Sequence, residues 1–297
     1  MLSINEGRSI PQMAHFQRIA VVGAGLIGGS VLLAAHRRRL AAEFRSWSRS
    51  ETARETLRGY GAGEVCATEA ECVQDADLVV VATPVDAAAA TFRALAPHLR
   101  PGCLVTDAGS VKAAVVAAAG AALPDTVKFV GAHPMAGSEK AGARHADASL
   151  FERRTCYVTP AGTEGRGAVE RVHAFWRSLG CVTVETDPES HDAVVAAVSH
   201  LPHAAAAALM LAVTDTPGFR AEAAGSGLRD ATRIAAGEEH LWVGILLANA
   251  DRVAAGLAAL ESRSAALRTA LERRDADAVR LILSEARRIR QSLDRPA

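Results

Sequence analysis

The sequence predicts an α/β domain built on a mostly parallel, doubly wound sheet, followed by an all-α domain. Three observations carry that reading. Apolar strand-like runs alternate with helix-length stretches from about residue 17 to 187, a glycine-rich turn follows the first run, and beyond Asp187-Pro188 the spacing becomes helical throughout. Residues 16–187 are therefore assigned to the sheet domain and residues 188–297 to the helical one. Residues 1–15 carry scattered polar groups without a continuous apolar core, so they read as a flexible lead and not a secretory signal.

Arg18–Val22 is the first predicted strand and Leu26–Arg37 the helix it feeds. Phe44–Ser48, Asp77–Thr83, Cys103–Thr106 and Lys128–Ala132 continue the series of strands. Such alternation calls for parallel strands covered by helices on both faces. Thr155–Thr159, a helix around Ala168–Leu179 and Val182–Glu185 extend the domain by another strand, helix and strand. In the helical part, Pro217-Gly218 marks a break. Apolar residues then recur at Leu246, Ala250, Val253, Leu257, Leu260, Leu267 and Leu271, and again at Val279, Ile282, Ala286, Ile289 and Leu293 beyond a polar turn at Arg274-Asp275. Two such helices form an antiparallel hairpin with one apolar seam each. The seams suit an intrachain core or a symmetric dimer; the homodimer is the reading adopted, since two-fold dimers are the commonest oligomers.

Composition narrows the functional class. With 49% hydrophobic residues and a formal net charge of zero, the chain lacks the basic balance of a nucleic-acid binder. No uninterrupted apolar run reaches the roughly 20 residues of a membrane span, so no membrane partner is expected. The five cysteines, Cys66, Cys72, Cys103, Cys156 and Cys181, are scattered and odd in number. That fits a reducing compartment, and a cytoplasmic location is expected.

The turn Gly23-Ala-Gly25-Leu-Ile-Gly28 follows a strand and opens a helix, the context of a dinucleotide-binding, Rossmann-type fold. Gly23 permits the tight turn, Gly25 admits the pyrophosphate, and Gly28 allows close packing of helix on strand. The diphosphate would face the free amides at Leu26, Ile27 and Gly28. At the end of the second strand, where an acid for NAD is usual, stands Ser48-Arg49. An arginine flanked by serines suits a 2′-phosphate, so NADP is the preferred cofactor and NAD the alternative, with Arg49 then only a surface residue. Glu43 lies at the nominal distance from Gly23 but falls before the predicted strand.

The segment Phe129-Val-Gly-Ala-His133-Pro places a histidine at the end of a strand, the edge where such sheets bind ligands. Thr83 and Ser110 also follow strands and face the same crevice. The Ser110 hydroxyl can orient the His133 imidazole or cap the next helix, and Lys112 reads as a helix residue only. In Ser199-His200-Leu-Pro-His203 the histidines share a helix face, and Pro202 demands a kink or a new helix start. They have no third ligand cluster beside them, so substrate contact is preferred to a metal site, and ordinary structural histidines remain the alternative. Arg233 is a candidate carboxylate clamp, or a partner of Asp230. Glu139 is either an ionic partner across the site or a local cap.

Taken in order, Val-Gly-Ala-Gly25-Leu-Ile-Gly-Gly-Ser, Asp107-Ala-Gly-Ser-Val-Lys, Ala-His133-Pro-Met-Ala-Gly-Ser-Glu, Ser-His200-Leu-Pro-His and Arg-Asp230-Ala-Thr-Arg-Ile-Ala resemble the prephenate/arogenate dehydrogenase family of tyrosine biosynthesis. The resemblance runs from about Arg18 to Asn249. It implies a Rossmann domain and a helical dimerisation domain with the active site between them. It further implies oxidative decarboxylation of prephenate or arogenate, a small-molecule substrate whose hydride passes to the nicotinamide. In that scheme His133 takes the hydroxyl proton and Ser110 orients it. His203 and Arg233 contact substrate, Glu139 and Asp230 join an ionic network, and Trp242 lies near the pocket. Arg229 replaces a lysine of some relatives. The rival readings are a hydroxyacid or imine reductase of similar build, which would need neither His133-Pro134 nor the two-histidine segment, and a non-catalytic NADP sensor.

Overall fold

The computed structural model describes residues 16–137 and 140–293. The sheet domain runs in the order β1 (Phe16–Val22), α1 (Leu26–Arg37), β2 (Ala41–Trp47), α2 (Glu51–Tyr60), β3 (Glu64–Val65), α3 (Glu69–Val73) and β4 (Leu78–Val81). There follow α4 (Ala88–Leu95), β5 (Leu104–Asp107), α5 (Ala113–Ala122), β6 (Lys128–Pro134), β7 (Thr155–Thr159), α6 (Arg166–Ser178) and β8 (Val182–Glu185). One eight-stranded sheet results, ordered β3-β2-β1-β4-β5-β6-β7-β8. All neighbours run parallel except β6 and β7. The order reverses direction between β1 and β4, which opens a crevice beyond their carboxyl ends.

The core has two layers because strand side chains alternate faces. Ile19, Val21, Leu78, Val80 and Leu104 meet Leu32, Phe175 and Trp176 on one side of the sheet. Ala20, Val22, Val79, Val81 and Val105 meet Cys72, Phe92 and Leu95 on the other. Both faces being covered explains the continuous apolar runs of the central strands. β2 begins earlier than the sequence suggests, so Glu43 lies within it and pairs with Arg18 at 2.6 Å. Glu43 is thereby removed from the strand end where a ribose would sit.

Beyond β8 the chain is helical: α7 (Pro188–Val195), one π-helical turn over Ala196–His200, α8 (Leu201–Thr214), α9 (Ser226–Thr232), α10 (Glu239–Ala248), α11 (Ala250–Glu272) and α12 (Ala276–Ser292). The widened turn before Leu201 accommodates Pro202 by letting α8 restart there, with the proline in its first turn. From Pro188 to Thr214 the helices form a 27-residue rod that is long and apolar enough to cross a bilayer. Its apolar run is interrupted by Ser199, His200, Pro202 and His203, so the sequence reading of no uninterrupted span-length run stands beside it. The sequence reading also placed Leu246–Leu271 on one helix. The structure breaks it at Asn249, where α10 and α11 meet at 94°.

Candidate active site

The turn between β1 and α1 is shaped by close approach. Gly23 has φ +89°, and a Cβ there would stand 2.7 Å from the Ala82 carbonyl carbon and the Thr83 nitrogen. A Cβ at Gly28 would meet the Gly23 oxygen at 2.6 Å, whereas Gly25 faces open space. Gly25 caps α1 without any side-chain hydrogen bond. The first helix amides, at Leu26, Ile27 and Gly28, therefore face outward as an anion-binding terminus. The residues present fit a dinucleotide: the clearance is over Gly25 and the free donors are beside it. Ser48 and the exposed Arg49 follow β2 at the crevice rim. The neighbouring Arg54 donates to the Ser48 carbonyl at 2.6 Å, tying this loop to α2.

His133 closes β6 and is 92% buried, being 8% exposed. The peptide before it is gripped from β5. The Asp107 carboxylate accepts from the Ala132 amide at 3.0 Å and the Gly109 amide at 2.8 Å, and it pairs with the fully buried Lys112 ammonium. Lys112 Nζ also donates to the Ala132 carbonyl at 2.8 Å. Lys112 was read from sequence as a helix residue only; it is instead the inner member of this clamp.

His133 Nδ1 lies 2.9 Å from His191 Nε2, and His191 Nδ1 lies 2.7 Å from Asp192 Oδ1. Asp192 also accepts from the Lys112 amide at 2.7 Å and the Ala113 amide at 2.9 Å, capping α5 from the helical domain. Neither His191 nor Asp192 was singled out in the sequence. The available signal was two polar residues, together with Val195, on the buried face of α7. Ser110 is half-buried beside this group, but among the described residues no hydrogen bond joins it to His133. Nor does it cap α5, whose cap position is Lys112.

Burial, then the charges of His191, Lys112 and His200, hold His133 well below the usual imidazole range. Burial likewise lowers His200, to about 4, and His203. Burial alone would raise the Asp192 carboxyl, but hydrogen bonds from His191 and from the Lys112 and Ala113 amides leave it lowered. At neutral pH His133, His200 and His203 are thus uncharged, and the Asp192 carboxylate is ionised.

His200, in the π turn, is fixed by Asn249, whose side-chain amide donates to the Asp192 carbonyl at 2.8 Å and reaches His200 Nδ1 at 3.2 Å. The Asp192 carbonyl can only accept, so Nδ2 is the donor and His200 Nδ1 accepts. His200 Nε2 then carries the proton, buried without a partner. His203, one turn along, stacks on Trp242 of α10 with centroids 3.5 Å apart, and its Nδ1 is also buried and unpaired. Arg233 is exposed where α9 gives way to a short 3-10 turn, and that turn ends at Gly237 against the Trp242 and His203 rings. Arg229 and Asp230 are exposed on α9. Thr83 meets Thr91 at 3.3 Å between hydroxyls, behind the glycine turn. Glu139 lies outside the described residues.

Comparison with known proteins matches this architecture throughout. Residues 37–185 match the model of the prephenate dehydrogenase nucleotide-binding domain, and residues 187–285 that of the prephenate dehydrogenase dimerization domain. The cyclohexadienyl dehydrogenase of Zymomonas mobilis is 33% identical over 288 residues, covering 95% of this chain and 97% of that protein. The prephenate dehydrogenase of Lactococcus lactis is 31% identical over 284 residues, covering 94% and 78%. Among solved structures, Aquifex aeolicus prephenate dehydrogenase in complex with hydroxyphenyl propionate and NAD+ superposes with a TM-score of 0.86 at 28% identity, covering 94% of this chain and 98% of that one. Synechocystis arogenate dehydrogenase gives a TM-score of 0.78 at 26% identity, covering 93% and 100%. With the glycine cradle, the strand-end histidine and both domain matches in place, the chain belongs to the prephenate dehydrogenase family.

Proposed function

We propose that this protein oxidatively decarboxylates a cyclohexadienyl substrate, prephenate or arogenate, with His133 as the general base and NADP+ as the preferred acceptor. The observation that carries the reading is the buried, uncharged His133 at the strand end, between the glycine cradle and the helical domain. The family match and the NAD+ complex of the Aquifex relative support a nicotinamide cofactor, and Arg49 beside Ser48 supports the 2′-phosphorylated form.

When bound, the oxidised nicotinamide supplies the acceptor for the hydride leaving ring C4. His133 Nε2 takes the proton of the C4 hydroxyl as the C4–H bond breaks. The C1–carboxylate bond then breaks, CO2 departs, and its electron pair completes the aromatic ring. The proton held on His133 returns to the phenolic oxygen, so none is released overall. Aromatisation drives the reaction, leaving the protein to align the substrate and move one proton. The unpaired Nε2–H of His200 and the guanidinium of Arg233 are donors suited to the substrate carboxylates. His203 and Trp242 form the apolar wall for the ring.

A homodimer through the helical domain goes with this reading. Leu211, Leu247, Leu281 and Leu293 are each at least 67% exposed in the single chain, and a groove of about 640 Å³ runs between α11 and α12. Five buried free thiols support a reducing, cytoplasmic setting.

The test is reduction of NADP+ and NAD+ followed by absorbance, with prephenate and arogenate offered separately. Turnover by wild type, together with a roughly 10²–10⁴-fold fall in kcat and unchanged nucleotide affinity for His133→Asn, is expected. No turnover with any pair, by protein that still binds nucleotide, overturns the assignment.

A further inference from the structure

We infer that His191 and Asp192 are positioning residues that fix the tautomer of His133, so that the helical domain sets the direction of the lone pair on the base of the nucleotide-binding domain. The inference rests on His133 being the base, as proposed above.

Asp192 is an ionised acceptor. One oxygen takes the Lys112 amide and the His191 ring nitrogen Nδ1, and the other takes the Ala113 amide. A carboxylate has no proton to give, so His191 Nδ1 must carry one. With that proton on Nδ1, His191 offers Nε2 as the acceptor. That atom lies 2.9 Å from His133 Nδ1, which must donate for the contact to be a hydrogen bond. The proton of neutral His133 is therefore on Nδ1, and Nε2 keeps its lone pair for the substrate hydroxyl.

Two packing contacts hold the relay. Tyr157, opposite His133 on β7, sets its ring edge-on to His191 at 5.3 Å between centroids. Asn249 holds the Asp192 carbonyl. His191 is fully buried and touches the base without reaching the position that the substrate hydroxyl must take at the far nitrogen. Because Asp192 caps α5 across the domain boundary, separation of the domains would release both the cap and the tautomer.

The direct test is a long-range ¹H–¹⁵N spectrum of the full chain labelled in its histidines, with His133 assigned by its loss in His133→Asn. A protonated Nδ1 and an unprotonated Nε2 on His133 are expected in wild type. In His191→Phe, which keeps a ring but offers no acceptor, the proton moves toward Nε2. There kcat falls by about 10²–10⁴-fold, the contribution of base catalysis, while KM for both ligands holds. His191→Gln, whose amide oxygen can accept in place of Nε2, restores the wild-type tautomer and most of kcat. A wild-type His133 protonated on Nε2, a doubly protonated His191, or an unchanged tautomer in His191→Phe overturns the inference. The wild-type spectrum decides even if the variants fail to fold. The expected tautomer in a protein that turns over neither substrate upholds the relay and overturns the dehydrogenase reading instead.

Discussion

The Asp107–Lys112 clamp gives a quantitative test of how His133 is held. Lys112→Met keeps the length of the aliphatic stem and removes the ammonium. It leaves Asp107, 2% exposed, without its counter-ion, and the Ala132 carbonyl without its 2.8 Å donor. Removing one member of a buried pair costs about 3–5 kcal/mol. Asp107 keeps the Gly109 and Ala132 amides as donors, so the lower half of that range, about 3–4 kcal/mol, is expected. The double variant Asp107→Asn/Lys112→Met leaves no bare charge and should recover part of the loss, giving a coupling energy of about 1–3 kcal/mol. Urea unfolding followed by the fluorescence of buried Trp176 measures stability, and kcat reports the position of His133. A displacement near 1 Å is enough to cost about 10²-fold in rate. A single variant costing under about 1 kcal/mol, or strict additivity in the cycle, would refute the clamp.

Three further outcomes are expected. His133, His200, His203 and His173 all have folded-state values lowered by burial, His200 to about 4, against an unfolded value near 6.5. The unfolded chain binds the extra protons, so this stability is fully present above about pH 6.5 and is lost as pH falls toward 4. The thermal midpoint should fall over that window, and a flat profile would sink the assignment of neutral imidazoles. Gly237→Ala adds a Cβ 2.6 Å from Trp242 Nε1 and 3.1 Å from His203 Cε1, at a backbone angle any residue adopts. The forced shift should cost about 1–3 kcal/mol and raise KM for substrate more than it lowers kcat; unchanged tryptophan fluorescence and KM would show that the stack has no such role. Finally, Leu247→Glu, at a position 72% exposed in the single chain, should convert a dimer to monomer by light scattering, and a monomeric wild type would count against the interface.

What could be read from sequence follows the range of the interactions. Gly23, Gly25 and Gly28 are legible because a turn, a close approach and a helix start are packed into six residues. Buried strands such as Leu78–Val81 are equally plain, since a sheet covered on both faces demands unbroken apolar runs. The break at Asn249 was not, because apolar spacing carries across it unchanged. Its cause is tertiary: the Asn249 side chain turns inward to the Asp192 carbonyl, 57 residues away in sequence. The same holds for Lys112, whose partners Asp107 and Ala132 meet only once β5 and β6 pair. His191 and Asp192 left a faint mark, two polar residues on a helix face that otherwise faces the core.

These omissions share a physical cause that bears on how the site works. The residues found first are those proposed to meet a ligand, and they sit in short local motifs. The residues missed are those that orient the first group, and they come from distant segments that converge on one peptide and one ring. Lys112 and Asp107 hold the Ala132 backbone from within the nucleotide domain, while Asp192 and His191 hold the His133 side chain from the helical one. The two supports meet at the start of α5, where the Lys112 amide binds Asp192 and the Lys112 side chain binds Asp107. Lys112 is therefore the residue through which both domains bear on His133. Its substitution should disturb rate and domain docking together, whereas a change at His191 should disturb rate with the docking bonds to Asp192 left in place.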